Sequence, residues 1–145
     1  MTTSAASVAP VPRSLRLFVM LVGITTLGIL LQAVTAGEFV SQEGRDGWIT
    51  VHDGIADATI LFSLVTAIVG LVAVRRVNAA LAWTSLILFV LLVAQTVTGH
   101  LITDAKLDNL IGLHVPLAFI VFAAAIWLSL RSAMVRRSLG TAAAQ

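Results

Sequence analysis

Residues 37–60, GEFVSQEGRDGWITVHDGIADATI, lie on residues 99–122, GHLITDAKLDNLIGLHVPLAFIVF, at a constant offset of 62 with no gap. Gly37 falls on Gly99, Asp46 on Asp108, Ile49 on Ile111, His52 on His114 and Ala56 on Ala118. Each stretch leaves one apolar run at a glycine, crosses a polar connection and enters a second apolar run with a histidine just inside it. The chain therefore reads as two tandem copies of a helical hairpin. Two of its three histidines occupy equivalent places in the two copies.

The 145 residues are 59% hydrophobic and 11% charged, with a mean hydropathy of +1.02. A soluble domain carries about 25% charged residues, so the expectation is an integral membrane protein of one domain. Four apolar segments meet the length of about 20 residues that a bilayer-spanning helix needs: about Leu17–Ala36, Trp48–Val74, Ala80–Ile102 and Leu110–Leu130. In hydrocarbon each backbone polar group must be satisfied within its own segment, so such runs are helices. The predicted fold class is all-α: a four-helix membrane bundle of two hairpins, repeats about 17–75 and 79–137. Residues 1–15 are expected to be a disordered tail, 16–131 the membrane domain and 132–145 a second tail. The first apolar run is read as a span, not a cleaved signal peptide.

Arg13, Arg16, Arg75, Arg76, Arg131, Arg136 and Arg137 flank the chain ends and the 75–79 turn, while Arg45 and Lys106 are the only basic residues in the other two connections. Positive residues stay in the cytoplasm, so both termini are expected there. The Arg-rich, Ala- and Val-rich composition points to a bacterium, hence to its inner membrane. The two hairpins share one orientation, which predicts a pseudo-twofold axis along the membrane normal. The absence of cysteine excludes disulfides, thiolate metal sites and covalent c-type haem. No Walker loop, dinucleotide fingerprint, HExxH or nucleic-acid signature is present.

His52 and His114 each start about four residues inside a helix, roughly 6 Å below the outer boundary. The symmetry sets their helices diagonally across the bundle, with axes roughly 12–14 Å apart. Two imidazoles facing inward across that gap are candidate axial ligands for a haem iron. The blander reading is a pair of interfacial polar residues carried along by the duplication. Ala56 and Ala118, one turn further on, leave space on that face. Gly37 and Gly99 are candidates for close approach of a macrocycle edge or a neighbouring helix. His100 stands where the other copy has Glu38 and is the alternative ligand, a partner for Asp53, or an exposed side chain. Asp53 and Asp57 break the symmetry, their counterparts being Val115 and Phe119. A carboxylate at the depth of Asp57 needs a partner or a wet cavity. It is read either as a proton path or polar cofactor edge, or as a helix-packing hydrogen bond to Gln95 or Thr98.

The pattern Q-x3-G-H in QTVTGH (95–100), the 15-residue step from Gly99 to His114, and the parallel step from Gly37 to His52 together resemble one half of haem A synthase. They also resemble small bacterial four-helix membrane proteins with the same histidine placement. The resemblance covers about residues 15–131 and implies axial histidines on the second and fourth helices, here His52 and His114. The family's glutamate three residues before the first histidine is Ile49 here, no arginine follows either histidine, and the outer-loop cysteines of some members are absent. What the resemblance implies is therefore bis-histidine haem b binding, not haem hydroxylation.

The leading expectation is a small haem b protein passing electrons near the outer face, with quinone or a membrane protein complex as partner. The iron would be the only metal. One alternative is a cofactor-free accessory subunit or assembly factor of a respiratory or envelope complex. The other is a small proton or solute transporter using Asp57. Membrane lipids are partners in every case, and nucleic acid in none.

Overall fold

The computed structural model describes residues 11–41 and 45–142. The described chain is four helices: α1 (Arg13–Ser41), α2 (Arg45–Val69) continued by a π-helical turn over Gly70–Val74, α3 (Ala79–Thr103), and α4 (Ile111–Ala142) entered through a 3-10 turn at Asp108–Leu110. All four are long and apolar enough to cross a membrane. Residues 42–44, in the connection between α1 and α2, lie outside the described residues.

Local chemistry sets the ends. Asn78 takes an extended conformation before α3, and its side-chain oxygen accepts the Leu81 amide at 3.2 Å, an N-cap. At the other end Lys106 has φ 57°, the left-handed conformation. The Leu107 amide then reaches back six residues to the Leu101 carbonyl at 3.1 Å, satisfying one of the last carbonyls of the helix. Two ends differ from expectation. α1 already begins at Arg13, and α4 runs to Ala142 through residues expected in the second tail. Hydropathy marks the apolar part of a helix, whereas Ser, Ala, Leu and Arg after Leu130 continue one, which here runs on through Gly140.

The helices pack in the cyclic order α1, α2, α3, α4, each on two neighbours, so α1 faces α3 and α2 faces α4 diagonally. The tight core lies towards the end that holds the termini. Leu15, Phe18, Val74, Leu81 and Leu128 are fully buried there. Close approach rests on small residues: a methyl group at Gly70 would come within 2.6 Å of Ser85 Oγ and 3.3 Å of the Ala82 backbone. The ladder slips at this glycine, where the Arg75 amide bonds the Gly70 carbonyl five residues back at 2.8 Å. A methyl group at Gly28 would overlap the Thr59 side chain. Thr26 on α1 and Ser129 on α4 share a hydroxyl hydrogen bond of 2.8 Å. The outer surface is apolar on every helix, with Met20, Leu61, Val72, Ile87 and Phe119 more than half exposed. That surface suits lipid contact.

Candidate functional site

Towards the other end the helices part around a cavity of about 540 Å³ lined by all four of them. This lies within the range of about 300–1,000 Å³ usual for small-molecule and cofactor sites. His52 from α2 and His114 from α4 both line it, each half-buried. Gln95, Asp53, His100, Gly99, Ala56 and Ala118 also reach it, against apolar walls from residues such as Leu30, Leu92 and Phe122.

Each imidazole is tied to the preceding helix of its own hairpin by a threonine. Thr35 Oγ1 lies 2.8 Å from His52 Nδ1, and Thr98 Oγ1 lies 2.9 Å from His114 Nδ1. A threonine hydroxyl has one proton. Thr98 gives its proton to the Gln95 carbonyl at 2.8 Å, and Thr35 gives its own to the carbonyls of Leu31 and Gln32, both at 3.1 Å. With the hydroxyl proton on its own helix's carbonyl, each threonine presents a lone pair to the ring, and in that arrangement Nδ1 carries the ring proton and Nε2 the in-plane lone pair. A metal-ligating histidine takes that tautomer when its other nitrogen donates to an acceptor behind it.

The glutamines differ. Gln32 donates its amide to the His52 backbone carbonyl at 2.6 Å. Gln95 places its amide nitrogen 2.9 Å from His114 Nε2, so both ring nitrogens of His114 are engaged from α3. The other amide atom, Gln95 Oε1, is buried and has no hydrogen-bond partner among the described residues.

The remaining candidates separate clearly. A methyl group at Gly99 would sit 3.3 Å from His114 Cε1, so this glycine makes room for the imidazole edge. Gly37 is exposed, meets nothing within 4 Å and does not line the cavity. Asp53 lines the cavity, but Asp57 points outward, is exposed and has no polar partner among the described residues. The expected bonds from these carboxylates to Gln95 or Thr98 do not form, because both α3 residues are spent on His114. His100 sits at the cavity rim, 47% exposed, with Nδ1 3.5 Å from Asp104. Among the described residues no group of three or more His, Asp or Glu is placed to hold a bare metal ion.

Sequence reasoning missed Gln32 and Thr35 altogether and gave Thr98 the wrong partner. The signal was Q-x-x-T, at Gln32–Thr35 and again at Gln95–Thr98. These pairs are 63 residues apart while the histidines are 62 apart, so a gapless alignment passes over them.

Compared with known proteins, the chain matches no family model, no curated sequence and no solved structure.

Proposed function

We propose that this is a bacterial inner-membrane protein of two tandem hairpin repeats that binds haem b between His52 and His114 and carries electrons near the outer face. The observation that carries this reading is the pair of cavity histidines, on diagonally opposed helices, each with Nδ1 anchored on a threonine hydroxyl. In this reading the positive-inside rule places both termini in the cytoplasm and the cavity towards the outer face.

The donor set suits the group. His52 and His114 bring two imidazoles to the cavity from opposed helices, Gln95 engaging Nε2 of His114, and Thr35 and Thr98 anchor Nδ1 of each ring. Ala56 and Ala118 keep the space between the helices open, and Asp53 and His100 give the cavity a polar edge. When bound, the haem supplies a one-electron carrier. Two protein imidazoles on its iron favour electron transfer over oxygen chemistry. A single site near one face does not bridge about 30 Å of hydrocarbon, so electrons enter and leave on that side, through quinol or a partner protein.

One observation favours a second reading, a cofactor-free accessory subunit. His114 has both ring nitrogens satisfied inside its own hairpin. Transport through Asp57 has less support, since this residue does not reach the cavity.

The test is the absorption spectrum of protein expressed with ample haem. A reducible b-type spectrum is expected, lost in His52→Ala and in His114→Ala and retained in His100→Ala. A folded, colourless protein that takes up no haem on reconstitution leaves the accessory-subunit reading in front.

A further inference from the structure

We propose that Gln95 is a latch on His114: its amide holds the Nε2 lone pair and must release it before His114 can bind iron. This inference rests on the haem reading and concerns how that site is loaded.

The geometry at His114 is set by α3. Gln95 Nε2 and Thr98 Oγ1, three residues apart on α3, grip the two ring nitrogens of His114 at 2.9 Å each. The Thr98 contact leaves ligation intact, because it engages the protonated nitrogen. The Gln95 contact competes with ligation, because an N–H donor and a metal ion need the same lone pair. In the other hairpin Gln32 gives its amide to the His52 backbone carbonyl, so the competition does not arise from that glutamine.

The latch is also weakly held. While the amide nitrogen faces His114, Gln95 Oε1 stays buried without a donor among the described residues. A buried acceptor left unpaired offsets much of what one amide hydrogen bond contributes. Turning the amide over pairs Oε1 only if His114 carries its proton on Nε2 and Thr98 donates to Nδ1, and a ring protonated at Nε2 cannot ligate iron there either. Gln95 lines the cavity, and a rotamer change towards the open space frees His114 and lets the amide reach solvent or a bound molecule. The latched ring is then a binding-incompetent fraction, and apparent affinity falls in proportion to the competent one.

The experiment titrates haemin into detergent-solubilised apoprotein, wild type and Gln95→Leu, followed by absorbance. Leucine removes the competing donor, and apparent affinity is expected to rise by up to about fivefold, the ceiling set by one net hydrogen bond. In stopped flow the wild-type low-spin spectrum should appear in a phase whose rate does not rise with haemin concentration. That phase should vanish in the variant. A glutamine that merely supported the fold would give weaker binding on substitution and no such phase. If Gln95→Leu does not fold, Gln95→Met and the wild-type kinetics decide. Haemin uptake with unchanged or weaker affinity in the variant, and a single concentration-dependent phase in the wild type, overturns the latch and leaves the haem reading standing. No uptake by either protein overturns both.

Discussion

Thr98 Oγ1 lies 2.9 Å from His114 Nδ1 and 2.8 Å from the carbonyl of Gln95, so one hydroxyl fixes the imidazole tautomer and is itself fixed by the helix it stands on. Thr98→Val keeps the shape and removes the acceptor. Loss of such an outer partner typically costs about 10–100-fold in metal affinity. Haemin titration of Thr98→Val, and of Thr35→Val on the other side, should show weakening of that order with the helical circular dichroism unchanged. Wild-type affinity in both variants would mean that the threonines do not support haem ligation by these rings.

Gly99→Ala is expected to displace His114. The added methyl meets Cε1 at 3.3 Å, tighter than ordinary contact, so the ring must shift by a few tenths of an ångström. A fall in haemin affinity is expected, while Gly37→Ala, facing open space, should leave it within about twofold. Histidine resonances in the apoprotein spectrum give the same answer without haem: the His114 signals should move in the first variant only.

Gly70→Ala tests the packed end. Its methyl would meet Ser85 Oγ and the backbone of Ala82. Overpacking costs about 1–3 kcal/mol, so the midpoint of thermal unfolding in detergent should fall. Gly23→Ala, with nothing within 4 Å, should leave it level or raise it.

Asp57→Leu should raise the unfolding midpoint of the isolated protein. The carboxylate stands exposed between Gly54 and Leu61, on a surface whose other large side chains are apolar, and such charge is unfavourable against acyl chains. Haem uptake should be unchanged, because Asp57 does not line the cavity. A lower midpoint would show that the carboxylate is held by something other than lipid.

Single cysteines report the orientation. Position 106 should label from the outer side with an impermeant reagent and position 76 only after the membrane is opened. The reverse pattern would overturn the topology drawn from the arginines.

Much of the fold was legible because hydropathy is a property of runs. The four apolar segments needed no knowledge of packing, and the short connection after Arg75 and Arg76 made α2 and α3 neighbours. The histidine pair was legible too, because both side chains sit at one offset. Their partners were not. Thr35 and Thr98 are related by 63 residues, and one residue turns a helix by about 100°. A gapless comparison therefore set Thr35 against Val97 and gave Gly37 and Gly99 a false equivalence. The outward face of Asp57 was legible but went unread: His52, Thr59, Ser63 and Thr66 recur at helical spacing along α2, the last three buried, and at about 100° per residue Asp57 falls on the far side of the helix.

The two ends of the bundle are unlike. Leu15, Phe18, Val74, Leu81 and Leu128 close one end tightly, while the cavity and both imidazoles occupy the other. None of the five residues that close the packed end belongs to the histidine grips. A nascent chain can therefore insert and settle into its final shape with an empty pocket, its rings meanwhile parked on threonine and glutamine side chains. In the haem reading, loading then becomes a late and separate event in biogenesis, one that leaves the anchored end undisturbed.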